Sequence, residues 1–201
     1  MGRKPRDKQR KKDLPKTERW LLDLLPKLQD LSVHKLTMDE LAGLVGKSKS
    51  TLYEYFTSKE EILLEMAKVR IKQLDAFRTS VDLNSIEVLE TYIAYITLFA
   101  NGISELSVQF LNEMRDYFPS VWEQIQLLNE KVITDLSGLY QRGIDEGIFK
   151  KVSLDWLIAM DTFFVSRVIT DSSVFSQDQV KLNQLIEEYV DIRLNGLVEK
   201  A

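Results

Sequence analysis

Apolar residues recur every three to four positions through most of the chain, the spacing that lines one face of an α-helix. Trp20, Leu21, Leu24, Leu25 and Leu28 mark the first such face. Pro26 lies inside it and predicts a kink or an early end, because proline lacks the N–H and clashes with the preceding turn. Further helices are predicted near 38–45, 48–55, 59–79, 85–101, 104–117, 120–145, 153–169 and 178–198. Thr37 with Glu40, and Ser58 with Glu61, have the spacing of a capping box, in which each side chain satisfies a free backbone N–H. Asn84 with Glu87, and Ser120 with Glu123 after Pro119, mark further N-termini. Gly143 and Gly147 punctuate the end of the longest helix. No internal repeat, low-complexity tract or alternating strand pattern is visible, so the chain reads as all-α.

Composition narrows the class. Hydrophobic residues make up 44%, enough for a sizeable core, while 8 Gly and 4 Pro are few for a turn-rich β fold. Cysteine is absent, which excludes disulfides and thiolate metal sites. The uncharged run from Thr91 to Ser104 spans 14 residues, short of the roughly 20 apolar residues a bilayer crossing needs. No apolar segment follows the basic N-terminus, so no signal peptide is expected. A soluble, cytoplasmic protein without membrane association is the expectation.

The net charge of −4 hides an asymmetry. Residues 1–72 carry 17 Lys and Arg against 11 Asp and Glu, whereas residues 73–201 carry 10 against 20. A basic front on an acidic body suits a polyanionic partner, although a solvated tail on an ordinary domain would look the same. Residues 1–12 hold seven basic side chains and one acid, Asp7. They read as a flexible arm, either touching phosphates or merely solubilising.

The segment from Thr37 to Phe56 carries the functional signal. Leu41 and Val45, then Leu52 and Phe56, place apolar side chains four apart on two successive short helices. Ala42 permits close approach, Gly46 suits a left-handed turn, and Ser48 can cap the second helix. Lys49, Ser50, Thr51, Tyr53 and Tyr55 are left mostly off the core face. Ammonium and hydroxyl groups on such a face match phosphates and base edges in the major groove. A helical hairpin with polar residues facing water is the competing interpretation.

Thr37 through Leu63 resembles the signature of the tetracycline-repressor (TetR) family of bacterial regulators. The residues that carry the resemblance are Thr37, Leu41-Ala42, Gly46, Ser48-Lys49, Thr51-Leu52-Tyr53, Tyr55-Phe56 and Ser58-Lys59-Glu60-Glu61 with Leu63. The stretch from Arg142-Gly143-Ile144 to Gly147-Ile148-Phe149 is similar to a weaker family feature. The resemblance implies a flexible arm over 1–15, a three-helix helix-turn-helix DNA-binding domain over 16–58, and a helical ligand-binding and dimerisation domain over 59–201. It implies that Ser48, Lys49, Ser50 and Thr51 face an operator. It implies phosphate contacts from Tyr53, Tyr55, Thr37 and Lys59. Lys47, at a turn position usually apolar in the family, departs from the pattern, as do Pro26 and the glycine-free connection at 31–35.

The same resemblance implies a homodimeric repressor, released from a near-palindromic operator by a small hydrophobic effector. Phe99, Phe110, Met114, Tyr117, Trp122, Tyr140 and Phe163 are the candidate pocket residues. Aromatic and Met residues at helical spacing also read as plain core, and Met160 with Phe163 and Phe164 reads better as a core or dimer face. A family-like protein without a ligand, acting through a protein partner or as an architectural DNA binder, is the alternative. An enzyme finds no support. His34 is the sole histidine, and no phosphate loop, nucleophile elbow or metal spacing is present. No cofactor and no catalytic residue are expected, and His34 reads as structural or surface.

Overall fold

The computed structural model describes residues 14–85, 87–104, 106–170 and 182–198. The basic arm at 1–12 and the expected helix start near 178 lie outside them. The helices are α1 (Leu14–Leu24), α2 (Met38–Leu44), α3 (Lys49–Tyr55), α4 (Lys59–Ser80), α5 (Val88–Ser104), α6 (Val108–Tyr117), α7 (Pro119–Asp145), α8 (Leu154–Thr170) and α9 (Leu182–Leu197). Among the described residues there is no strand beyond an isolated antiparallel bridge between Phe149 and Val198. The all-α reading therefore stands.

Pro26 acts as the pattern required. α1 stops at Leu24, and Pro26 sits in a short 3-10 turn, Leu25–Lys27. Three start signals resolve differently from their expected form. Ser58 accepts from the Glu61 N–H at 3.1 Å, but the Glu61 carboxylate reaches back to Thr57 rather than closing on Ser58. α5 begins at Val88 and not near 85, and the Asn84 N–H turns to Asp82. α7 begins on Pro119 with no side-chain cap, and Ser120 instead donates to Glu60 on α4 at 2.7 Å. Proline at the first helical position needs no N–H partner, which frees that serine.

Two apolar cores organise the chain. The first joins Leu21, Leu24 and Leu28 to Leu41, Ala42, Leu52 and Phe56, then continues through Ile62, Leu63 and Met66 of α4 into Phe110, Met114, Phe118 and Val121. The second gathers Val88, Tyr92, Tyr95, Leu136, Leu139, Tyr140, Phe149, Leu157 and Leu197. α4 thus contributes at its N-terminal end to the same core as α1–α3, and α6 seals that core from the other side.

Gly143 and Gly147 have a joint physical reason. Gly147 takes φ +73°, the left-handed turn that ends α7. The chain then folds back so that the Ile148 and Phe149 N–H groups both donate to the Gly143 carbonyl, at 2.9 and 2.8 Å. The Phe149 ring occupies the place a Cβ on Gly143 would take. Only glycine permits that contact.

Candidate nucleic-acid interface

The reading head is built by caps and one glycine. Thr37 caps α2: its hydroxyl accepts from the Glu40 N–H, and Glu40 accepts from the Thr37 N–H at 2.7 Å. That backbone bond, then the Thr37 hydroxyl, holds the Glu40 carboxyl below the ordinary carboxylate range. Gly46 adopts φ +66°, and the Lys47 N–H then donates to the Ala42 carbonyl at 2.8 Å. Ser48 caps α3 by accepting from the Thr51 N–H at 3.2 Å. Leu41, Ala42, Leu52 and Phe56 are buried, which sets the roll of both helices.

With those four inside, Ser48, Lys49, Ser50 and Tyr53 are exposed and Thr51 and Tyr55 half-buried. Ser48 Oγ lies 2.9 Å from both Ser50 Oγ and Thr51 Oγ1, so three hydroxyls cluster at the start of α3. Lys49 Nζ donates to Asp39 Oδ2 at 2.6 Å, which raises the ammonium pKa. No local sequence pattern marks Asp39 for this role. It ties the exposed base-reading helix to α2, and both partners are well exposed, so the tie is weak and exchangeable. Thr37 is exposed beside this surface.

Lys59 turns inward in this structure. Its ammonium donates to the carbonyls of Val33 (3.0 Å), His34 (2.6 Å) and Leu36 (2.9 Å). An ammonium has three hydrogens, and here all three point into the protein. Burial pushes its pKa below the ordinary lysine range, against the opposing pull of Glu113 and Glu40. Lys59 therefore pins the connection before α2. Replacing it with alanine is expected to lower stability by about 2 kcal/mol, the scale of charge-assisted hydrogen bonds at a part-buried site. Thermal denaturation measures this. The salt dependence of DNA binding should keep its slope, whereas removing a phosphate-neutralising charge would reduce it by about 0.9.

Residues 30–66 match the family model described as bacterial regulatory proteins, tetR family. The match covers α2, α3, the turn between them and the start of α4. These residues are a helix-turn-helix of the TetR type. Its relatives include the uncharacterized HTH-type transcriptional regulator YvaF of Bacillus subtilis (strain 168), 24% identical over 164 residues, or 80% of this chain and 85% of that one. Among solved structures, the TetR family regulator PfmR from Thermus thermophilus matches with a TM-score of 0.67 at 21% identity, covering 91% of this chain and 97% of its own. A transcriptional regulator from Saccharomonospora viridis in complex with choline matches with a TM-score of 0.72 at 14% identity, covering 92% and 99%. These likenesses show the fold. The family and the YvaF relative are transcriptional regulators, which supports DNA-binding regulation and not an enzymatic activity.

The second half of the chain holds a buried polar network that charge patterns did not reveal. Asp161 Oδ1 pairs with Arg193 Nη2 at 2.9 Å, and Asp161 Oδ2 accepts from the Tyr140 hydroxyl at 2.5 Å. Tyr189 donates to the same carboxylate, and the Tyr92 and Tyr140 hydroxyls lie 3.0 Å apart. Burial pushes the Tyr92 phenol up to about 12. Burial, then Tyr92 and Asp161, raises Tyr140 further. These phenols stay protonated and act as fixed donors.

The candidate pocket residues fall in separate settings rather than around one cavity. Phe110 and Met114 are buried in the first core, with Trp122 half-buried against it. Tyr117 is exposed and stacks on His34 at 4.1 Å. Tyr140 is buried in the second core, and Phe163 is exposed on α8. The side chain of Phe99 lies outside the described residues.

Among the described residues, no helix is long and apolar enough to cross a membrane.

Proposed function

We propose that the protein is a homodimeric repressor that clamps a near-palindromic operator and is released by a small hydrophobic ligand. The observation that carries the dimer is the outer face of α8. Trp156, Met160 and Phe163 follow helical spacing and are 68%, 50% and 71% exposed, with Ile192 of α9 68% exposed. So large an apolar surface favours burial against a partner, and a two-fold related copy presents the same face. A dimer also supplies the two recognition helices that half-sites about one DNA turn apart demand. Ser48, Lys49, Ser50 and Thr51 read the bases, Tyr53 and Tyr55 meet phosphates, and Thr37 does so from the start of α2.

The hydrophobic character of the ligand draws on the aromatic interior around Tyr92, Tyr95 and Tyr140, and the choline complex of the Saccharomonospora viridis regulator supports only that a small molecule is bound. Release requires the ligand to prefer the conformation that does not fit the operator. A second reading is favoured by the fully buried Tyr92, Tyr95 and Tyr140: a regulator whose second half houses no ligand and acts through a protein partner or as an architectural DNA binder. Native mass spectrometry of the purified protein separates the two, since a retained small molecule supports the sensor.

Selection of bound duplexes from a random DNA pool tests the core of the proposal. A two-fold symmetric consensus is expected. An asymmetric consensus, or a protein that sediments as a monomer at micromolar concentration, overturns the dimeric clamp.

A further inference from the structure

Lys47 breaks the expected apolar pattern at the turn, and the structure shows where its charge goes. Its ammonium lies 5.4 Å from the Trp20 ring centroid. Lys16, one helical turn before Trp20 on α1, brings its own ammonium to 5.3 Å from the same ring and 5.9 Å from the Tyr55 ring. Trp20 and Tyr55 meet edge to face at 5.1 Å. Two cations thus sit on one aromatic pair that joins α1, the turn and the end of α3. Both lysines are exposed, and among the described residues neither makes an ion pair.

Two exposed cations on one aromatic pair concentrate positive charge at this spot. Lys47 immediately precedes Ser48, the cap of α3, and Tyr55 closes that helix, so the spot borders the base-reading surface. We propose that Lys16 and Lys47, seated on Trp20 and Tyr55, form a clamp for the phosphodiester backbone of duplex DNA at the rim of the groove that α3 enters. This rests on the DNA-reading function. It adds a charged, sequence-independent anchor to the hydroxyl contacts that α3 makes with phosphates. A lysine stem can also lie along an apolar ring while its ammonium stays in solvent. A purely packing role for these stems is the competing explanation.

The test measures affinity against salt concentration for the full-length protein on a selected duplex and on a scrambled one. The variants are Lys16→Met, Lys47→Met and the double change, with Lys131→Met on α7 as a control outside this surface. Methionine keeps an apolar stem over Trp20 and removes the charge. Each single variant is expected to weaken binding to both duplexes by a similar factor, several-fold or more, and to lower the log–log salt slope by about 0.9 for each phosphate no longer neutralised. Lys47→Arg, which keeps the charge, should retain the wild-type slope. An unchanged slope in the double variant overturns the clamp, as does a loss of affinity confined to the selected duplex. If methionine lowers the melting temperature, the double variant Lys16→Gln, Lys47→Gln replaces it, and the slope is judged in the same way. Failure of the underlying DNA-reading function looks different: the wild type would then bind neither duplex.

Discussion

Asp161→Ala is expected to destabilise the second half of the molecule by about 3–5 kcal/mol, the scale on which breaking a buried ion pair leaves the other charge uncompensated. Asp161 and Arg193 are only 7% and 8% exposed. Removing the carboxylate strands the guanidinium and takes the acceptor from two phenols, Tyr140 and Tyr189. Arg193 Nη2 would keep only the Tyr140 oxygen at 3.3 Å and the Leu157 carbonyl at 3.2 Å. Thermal denaturation by circular dichroism reads the loss. The double variant Asp161→Leu, Arg193→Met should recover most of it, because it also removes the desolvation of both charges. If the double variant is as unstable as the single one, packing rather than charge is responsible. The same cluster sets an alkaline limit. The Tyr92 phenol, raised above its unfolded value of 10.0, favours the fold fully below that value, and the contribution is lost as pH rises. For Tyr92 the window runs from about 10 up to about 12. Stability should therefore fall through that window, and replacing Tyr92 with phenylalanine should flatten the fall.

The second large effect is expected where α6 meets the connection before α2. Glu113 of α6 is 8% exposed, and its Oε2 accepts from the His34 backbone N–H at 2.8 Å. The His34 ring places Nδ1 2.8 Å from Oε1 and 2.9 Å from Oε2. Carboxylate oxygens accept, so Nδ1 is the nitrogen that donates. The other side of the connection is held by Lys59 through three carbonyls, and Tyr117 covers the imidazole face. Glu113→Ala removes acceptors from a backbone N–H and a ring N–H in one step. At roughly 1.5–3 kcal/mol for a hydrogen bond to a charged group, and with incomplete additivity, about 3 kcal/mol is expected. Because residues 33–36 set where α2 begins, affinity for a selected operator should drop with it. Glu113→Gln keeps one acceptor and should recover part of both losses. A Glu113→Ala protein with unchanged melting temperature and unchanged affinity would show that the joint is incidental.

His34 therefore has a structural task, one of the two roles its place in the sequence allowed. The task itself was not legible, since Glu113 lies 79 positions away. Lys59 makes the same point more sharply. Its place at the start of α4 suggests a phosphate contact, and only the structure shows that three carbonyls of the 33–36 connection hold its ammonium. Asp161 and Arg193 carry no local pattern at all, being separated across two helices.

What the sequence determined by itself follows from short-range physics. The helical period, the Thr37–Glu40 box, the left-handed Gly46, the Ser48 cap and the stop at Pro26 each depend on residues within about one turn of each other. They place α2 and α3, and therefore the exposed Ser48, Lys49, Ser50 and Tyr53, before any tertiary contact is known. The tertiary structure alone decided how those helices are held to the body, which charges are spent inside, and where the aromatic residues between Phe110 and Phe163 end up. Those outcomes depend on burial and on partners tens of residues apart, where desolvation decides whether a Lys, Glu or Tyr faces a ligand or another side chain.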